Sequence, residues 1–212
     1  GRDGTGPLSY ASTTSIAAGA AIHADAVTDG NGGSVVVWSD DKTAYQGNIS
    51  AKGGAHSGDG GSAEVSSHGL LDFTGMADLR APAGLMGSLL LDPENVTIAS
   101  DGETPGLPAT GDTTLTATGD DSRLSVAILE SALALGNVIV STGSSGSQAG
   151  DITVAANIGW TGNNSLSLSA YRNITINDGV TIVNTGAGDL SLVADSTGTG
   201  TGTVVFDGTG SA

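Results

Sequence analysis

Cysteine is absent from all 212 residues, so the chain has no disulfide framework, no thiolate metal site and no cysteine nucleophile. Basic residues are nearly as scarce. Six Lys and Arg face 22 Asp and Glu, a formal net charge of −16 with a pI near 4.1. Phosphate contacts need clustered Lys and Arg, so this balance argues against nucleic-acid partners. It equally opposes binding to anionic membranes. The longest apolar run, 124–135, is too short to span a bilayer and carries Glu130, so no membrane insertion is expected. No basic segment leads into an apolar stretch, so no signal peptide is visible, and the chain reads as a piece of something longer. Aromatic residues make up 3% and prolines number five. With few large side chains, a chain this long builds a narrow core. Glycine is what it has instead, 35 residues of it. Together these point to a thin, regular β architecture.

A repeat runs through the first hundred residues. Gly33-Ser-Val-Val-Val-Trp-Ser39, Gly61-Ser-Ala-Glu-Val-Ser-Ser67 and Gly87-Ser-Leu-Leu-Leu-Asp-Pro93 begin 28 and 26 residues apart. Between them, Ala44-Tyr-Gln-Gly47 matches Asp72-Phe-Thr-Gly75, and Asn48-Ile-Ser-Ala-Lys52 matches Met76-Ala-Asp-Leu-Arg80. Each period therefore holds three short runs with turn residues between them. Side chains alternate along a strand. The columns Val35/Ala63/Leu89 and Val37/Val65/Leu91 must then point inward, and Val36/Glu64/Leu90 and Trp38/Ser66/Asp92 outward. Tyr45 and Phe73 share an inward column, as do Ile49 with Ala77 and Ala51 with Leu79, while Lys52 and Arg80 point outward.

Like residues stacking at a fixed period define a β-solenoid, in which the rest of each coil serves as the crossover that parallel pairing requires. The expected fold is all-β: a triangular parallel β-helix of about 27 residues per coil. Roughly seven or eight coils would make a rod about 35 Å long at the strand spacing. Four stretches are expected: a leading segment (1–30), regular coils (31–98), a loop with a short helix (99–136), and further coils (137–212). In the second half of the chain, Val96–Ile98, Thr114–Ala117, Val138–Val140, Asp151–Val154, Leu166–Leu168, Ile174–Ile176, Val180–Ile182, Leu190–Leu192 and Val204–Phe206 alternate like strands. Residues 125–135 break that pattern. Val126, Leu129 and Leu133 make a helical stripe, with Ser125 as N-cap and Gly136 as terminator, so a helix inserted between coils is expected.

The motifs Asn31-Gly-Gly-Ser-Val-Val-Val-Trp-Ser-Asp40, Gly47-Asn-Ile-Ser-Ala-Lys-Gly-Gly54, Gly58-Asp-Gly-Gly61, Leu89-Leu-Leu-Asp-Pro93 and Gly150-Asp-Ile-Thr-Val154 resemble large exoproteins of the filamentous-haemagglutinin type. The similarity extends through Ser125–Leu129 and Thr197–Gly202 and so covers most of the chain. These proteins leave Gram-negative bacteria by two-partner secretion. The resemblance implies a right-handed β-helix that is secreted or at the cell surface, where it acts in adhesion or biofilm contact. It also implies an outer-membrane secretion partner for the parent protein. The family's Asn-Pro-Asn-Gly secretion motif is missing, so this piece corresponds to shaft. Its partners would be a host or matrix glycan or protein, or further copies joined end to end or side by side. Some members are associated with haem or haemopexin acquisition, for which His56 and His68 are the only candidates.

A polysaccharide-degrading β-helix enzyme is the alternative. It needs carboxylates converging on one outward face, where Glu64, Asp78 and Asp92 are available. Solvated acids that keep a rod soluble explain the same residues. No catalytic constellation is found, and no Gly-x-Ser-x-Gly elbow or phosphate loop is present. Asp40, Asp41 and Asp59, and the pair Asp120-Asp121, could ligate Ca²⁺ through loop oxygens, but turn chemistry accounts for them equally. No other cofactor is implied. His23, His56 and His68 lack metal-ligand spacing. Trp38, beside Val36, is either an exposed ligand contact or is covered by the leading segment 8–22, whereas Trp160 reads as inward. Sequons occur at Asn48, Asn95, Asn163 and Asn173.

Overall fold

A computed structural model describes residues 10–100, 121–143 and 147–212. The chain winds as stacked coils of about 28 residues, about six turns in all, with every strand pairing parallel. It opens with β1 (Thr13–Ile16) and β2 (Ala21–His23). The next coil supplies β3 (Ser34–Ser39), β4 (Lys42–Tyr45) and β5 (Asn48–Ser50), and the one after it β6 (Ser62–Ser67), β7 (Leu70–Phe73) and β8 (Met76–Asp78). Then come β9 (Ser88–Asp92), β10 (Val96–Ala99), β11 (Ser122–Ser125) and helix α1 (Val126–Leu133). Regular coils resume with β12 (Asn137–Ser141), β13 (Ile152–Val154) and β14 (Ile158–Trp160), then β15 (Leu166–Ser169), β16 (Ile174–Ile176) and β17 (Ile182–Asn184). β18 (Leu190–Val193) and β19 (Val204–Phe206) follow.

Three faces result. The first is an uninterrupted six-stranded sheet, β3-β6-β9-β12-β15-β18. Its register is the one the repeat predicts: Ser34 opposes Ser62, and Ser62 opposes Ser88. The inward columns are core. Val35, Ala63 and Leu89 are buried, as are Val37, Val65 and Leu91. Val138 with Leu166, and Val140 with Leu168, extend the same two columns. Stacking like on like lets a core only a few side chains wide stay dry, because each residue is covered by its own counterparts above and below.

The second face holds β1-β4-β7 and then β11-β10-β13-β16-β19. On it Tyr45 stacks on Phe73, with ring centroids 5.8 Å apart. Tyr45 is fully buried, its hydroxyl has no hydrogen-bond partner among the described residues, and burial pushes its pKa up. A buried hydroxyl left unpaired costs stability. Tyr45→Phe is therefore expected to leave the melting temperature unchanged or raise it by about 1–4 °C, as thermal unfolding followed by circular dichroism would show.

The third face holds β2-β5-β8, then α1, then β14-β17. The helix is not added beside the coils: it takes the place of one strand. Leu129, Ala132 and Leu133 face the core. The strand edges on either side still find partners, as buried backbone polar groups must. The Leu79 N–H donates to the Leu135 carbonyl at 3.2 Å, and the Gly159 N–H donates to Glu130 Oε1 at 2.8 Å. Asn164 Nδ2 donates to the Leu133 carbonyl at 2.7 Å, which satisfies one of the helix's terminal acceptors. Ser125 stands at the N-cap as expected but makes no side-chain cap bond. The Gly136 N–H closes onto the Ala132 carbonyl.

Two expectations change. The chain makes about six turns, not seven or eight. Leu89 pairs through β9 and β12 directly with Val138, so these two strands are neighbours on the first face. In addition, β11 is a strand not foreseen. It pairs parallel with β10 on the edge opposite β13, while the Leu71 N–H of β7 donates to Ser122 Oγ at 2.9 Å. A strand later in sequence thus lies between β7 and β10, with Leu124 pointing into the core. The strand expected at 114–117 and the leading residues before Tyr10 lie outside the described residues.

Candidate binding surfaces

Trp38 is the outward residue the sequence singles out, and the leading segment does reach it. The Tyr10 ring meets it edge-on at 5.1 Å, and the His68 ring meets its other side at 4.7 Å. His68 Nδ1 lies 2.9 Å from Asp40 Oδ1. One aromatic stack thus crosses three coils and leaves Trp38 half-buried. Val36, two residues back, is 45% exposed. Trp160 is inward, as expected: it is buried, and its Nε1 donates to the Asn164 carbonyl at 2.8 Å.

Glu64 departs from expectation. It stands in the outward column opposite Val36 and Leu90, yet only 7% of it is exposed. Strand alternation fixes the direction of a side chain, not whether something lies over it. Burial then requires partners, and Ser66 Oγ donates to Glu64 Oε1 at 3.1 Å. Asp92 lies on the same outward side but opposite Ser66, and it is half-buried. Asp78 is held by the Arg80 guanidinium through two hydrogen bonds, at 2.7 and 2.8 Å. The Arg80 guanidinium keeps the Asp78 carboxyl below the usual range, outweighing its partial burial. The three acids of the enzymatic alternative therefore have three different environments.

The candidate calcium ligands are separate as well. Asp40 meets His68, and Asp41 is exposed beside it. Asp59 belongs to a corner one coil up, where its Oδ1 accepts the Leu85 N–H at 2.8 Å. Asp121 bonds Asn95 and Gln148, and Asp120 lies outside the described residues. Among the described residues, no three His, Asp or Glu side chains gather closely enough to hold a metal ion. His56 is exposed at a corner.

The corners carry a device that the sequence reading passed over. The residue just before β10, before β13 and before β16 sends a side-chain oxygen to the backbone of the next coil. Asn95 Oδ1 accepts the Asp151 N–H at 2.7 Å, Asp151 Oδ1 the Asn173 N–H at 3.0 Å, and Asn173 Oδ1 the Thr203 N–H at 3.0 Å. The signal was an Asn or Asp directly before Val-Thr-Ile, Ile-Thr-Val and Ile-Thr-Ile. Two sequons, Asn95 and Asn173, are thereby committed to the ladder, while Asn48 and Asn163 are exposed.

Within this ladder Arg172 Nε also bonds Asp151 at 2.8 Å. The guanidinium holds the Asp151 carboxyl below the usual carboxylate range, outweighing its partial burial. A carboxylate whose pKa is lowered by folding stabilises fully above its unfolded value, near pH 4, and loses that contribution as pH falls through the folded value. Asp151→Asn keeps the ladder acceptor and removes the charge. It is expected to cost under about 1 kcal/mol at pH 7, because the pair is solvent-screened. It should also flatten the loss of stability between about pH 5 and 2, measured as urea midpoints across pH.

A groove of about 500 Å³ runs along the corner that precedes the first face. Glycine backbone floors it at 32–33, 60–61 and 87. Ser34, Ser62, Ser88 and Asn137 form one side, and Asp59, Leu85 and Met86 the other. Leu85 is 75% exposed. Ser62 Oγ donates to Ser34 Oγ at 3.0 Å. The repeated Gly-Ser at each coil start was legible, but the lip formed by Leu85 and Met86 was not. No family model matches this chain, and no curated protein matches it.

Proposed function

We propose that this chain is a non-enzymatic structural and binding segment of a secreted bacterial surface exoprotein of the filamentous-haemagglutinin type, acting in adhesion or cell-surface contact. The observation that carries this reading is the uninterrupted register of the six-stranded face, with the family-like Gly-Ser motifs standing at the same corner of successive coils. Such a stack makes a stiff spacer with long lateral faces. No helix among the described residues is long and apolar enough to cross a membrane, and the charge of −16 keeps it in water. The separate environments of Glu64, Asp78 and Asp92 favour this reading over polysaccharide cleavage, which requires carboxylates acting together.

The test is a binding screen of the chain against immobilised matrix proteins and glycans, with a depolymerase assay on the same polysaccharides. Saturable binding without chain cleavage is expected. Release of reducing ends at a rate proportional to protein would overturn the reading in favour of the enzyme. A folded protein that neither binds a surface component nor releases reducing ends would overturn the binding reading without favouring the enzyme.

A further inference from the structure

We infer that the corner groove is a site for a neutral, unbranched glycan lying along the rod axis. The inference rests on reading the chain as a binding segment and names the ligand class and the place. The groove crosses four successive coils, from Ser34 to Asn137. At the strand spacing this is about 14 Å, close to three pyranose units laid end to end. Its polar side repeats at one coil, a period close to one sugar.

The backbone of the groove floor is already used between coils. The Gly61 N–H bonds the Ala51 carbonyl, the Ser62 N–H the Gly33 carbonyl, and the Gly87 N–H the Leu79 carbonyl. A peptide strand would find no free sheet edge there to extend. What remains is side-chain chemistry. The hydroxyls of Ser34, Ser62 and Ser88 both donate and accept, which suits a ligand whose groups do the same. Leu85 and Met86 offer an apolar wall to the C–H face of a sugar ring. The net charge of −16 and the Asp59 carboxylate on the lip disfavour acidic polysaccharides. No reaction is implied, because Asp59 is the one carboxylate among the described residues that line the groove.

The experiment is titration calorimetry of the whole chain with cello-, xylo- and chito-oligosaccharides of two to six units, in parallel with a matrix-protein binding screen. Two variants accompany the wild type. Ser62→Phe fills the groove from an exposed outward position, and Leu85→Ser removes the wall, so neither touches the core. Circular dichroism verifies that each is folded. At least one series is expected to bind saturably, with affinity rising to three or four units and then levelling. Both variants should weaken it at least tenfold. No binding of any neutral series by folded wild type overturns the inference, as does binding that both variants leave unchanged. Matrix-protein binding that persists while every oligosaccharide fails removes the groove assignment and leaves the adhesive reading standing. Loss of both removes the two together.

Discussion

Gly61→Ala is expected to lower stability by at least about 3 kcal/mol, a drop of roughly 6–12 °C in melting temperature for a chain of this size. A Cβ placed there would stand 2.0 Å from the Gly33 carbonyl oxygen and 2.7 Å from the Gly32 carbonyl carbon. Both belong to the coil below, and both are backbone, so no side-chain rotation relieves the contact. The Ser62 N–H bonds that same Gly33 carbonyl. Moving it aside would therefore break the ladder between β3 and β6. Gly19 supplies the contrast. It has φ +84° but nothing within 4 Å of its would-be Cβ, so Gly19→Ala meets backbone strain alone, about 1–2 kcal/mol. The gap between the two, measured by denaturant unfolding, separates coil stacking from turn conformation. Equal losses would mean that the coils do not approach at Gly61 as described.

Leu166→Ala is expected to cost about 3 kcal/mol, within the range for deleting a fully buried leucine. Leu166 is completely buried, with Val138 below it and Leu190 above it in the inward column. The core at each level is only a few side chains wide. Neighbouring coils are held by backbone bonds and cannot collapse into the space without breaking their own pairing. Ser167, the next residue along β15, points outward and opposes Ile139 and Ser191. Ser167→Ala should change stability by under about 0.5 kcal/mol. If the two substitutions had similar effects, the assignment of inward and outward columns would fail at that coil.

Much of this arrangement was legible because a solenoid writes itself into sequence twice. Alternation gives the direction of each side chain, and the period gives its neighbours. Together they place Val35, Ala63 and Leu89 in one column and Tyr45 against Phe73, as the structure does. What escaped was whatever breaks the period. β11 has one inward apolar residue, Leu124, in a four-residue strand, too little alternation to stand out from a loop. Its position between β7 and β10 depends on chain return, which local pattern does not encode. The helix was visible from its stripe, but its role as a replacement strand depends on the Leu79 and Gly159 edges, which lie far from it in sequence. Glu64 shows the limit of columns. The column gave its direction, and its burial is set by what covers it. The groove needed both the corner Gly-Ser repeat and the lip at Leu85 and Met86. The repeat was readable, while the lip belongs to one coil alone.

The claim that the coils stack without a break through the insertion can be tested with one cross-link. Ser88 and Asn137 are 49 residues apart in sequence yet directly opposed across β9 and β12. The chain has no cysteine of its own, so the Ser88→Cys/Asn137→Cys pair would carry the only two thiols. Adjacent strands put α-carbons about 5 Å apart, within reach of a disulfide. The Ser88→Cys/Ser165→Cys pair, one coil further, would sit near 10 Å and out of reach. Rapid, near-complete oxidation of the first pair and none of the second is the expected result. Failure of the first pair in a folded protein would mean that residues between β9 and β12 add a rung to this face, contradicting the continuous six-stranded sheet on which the binding-segment reading rests.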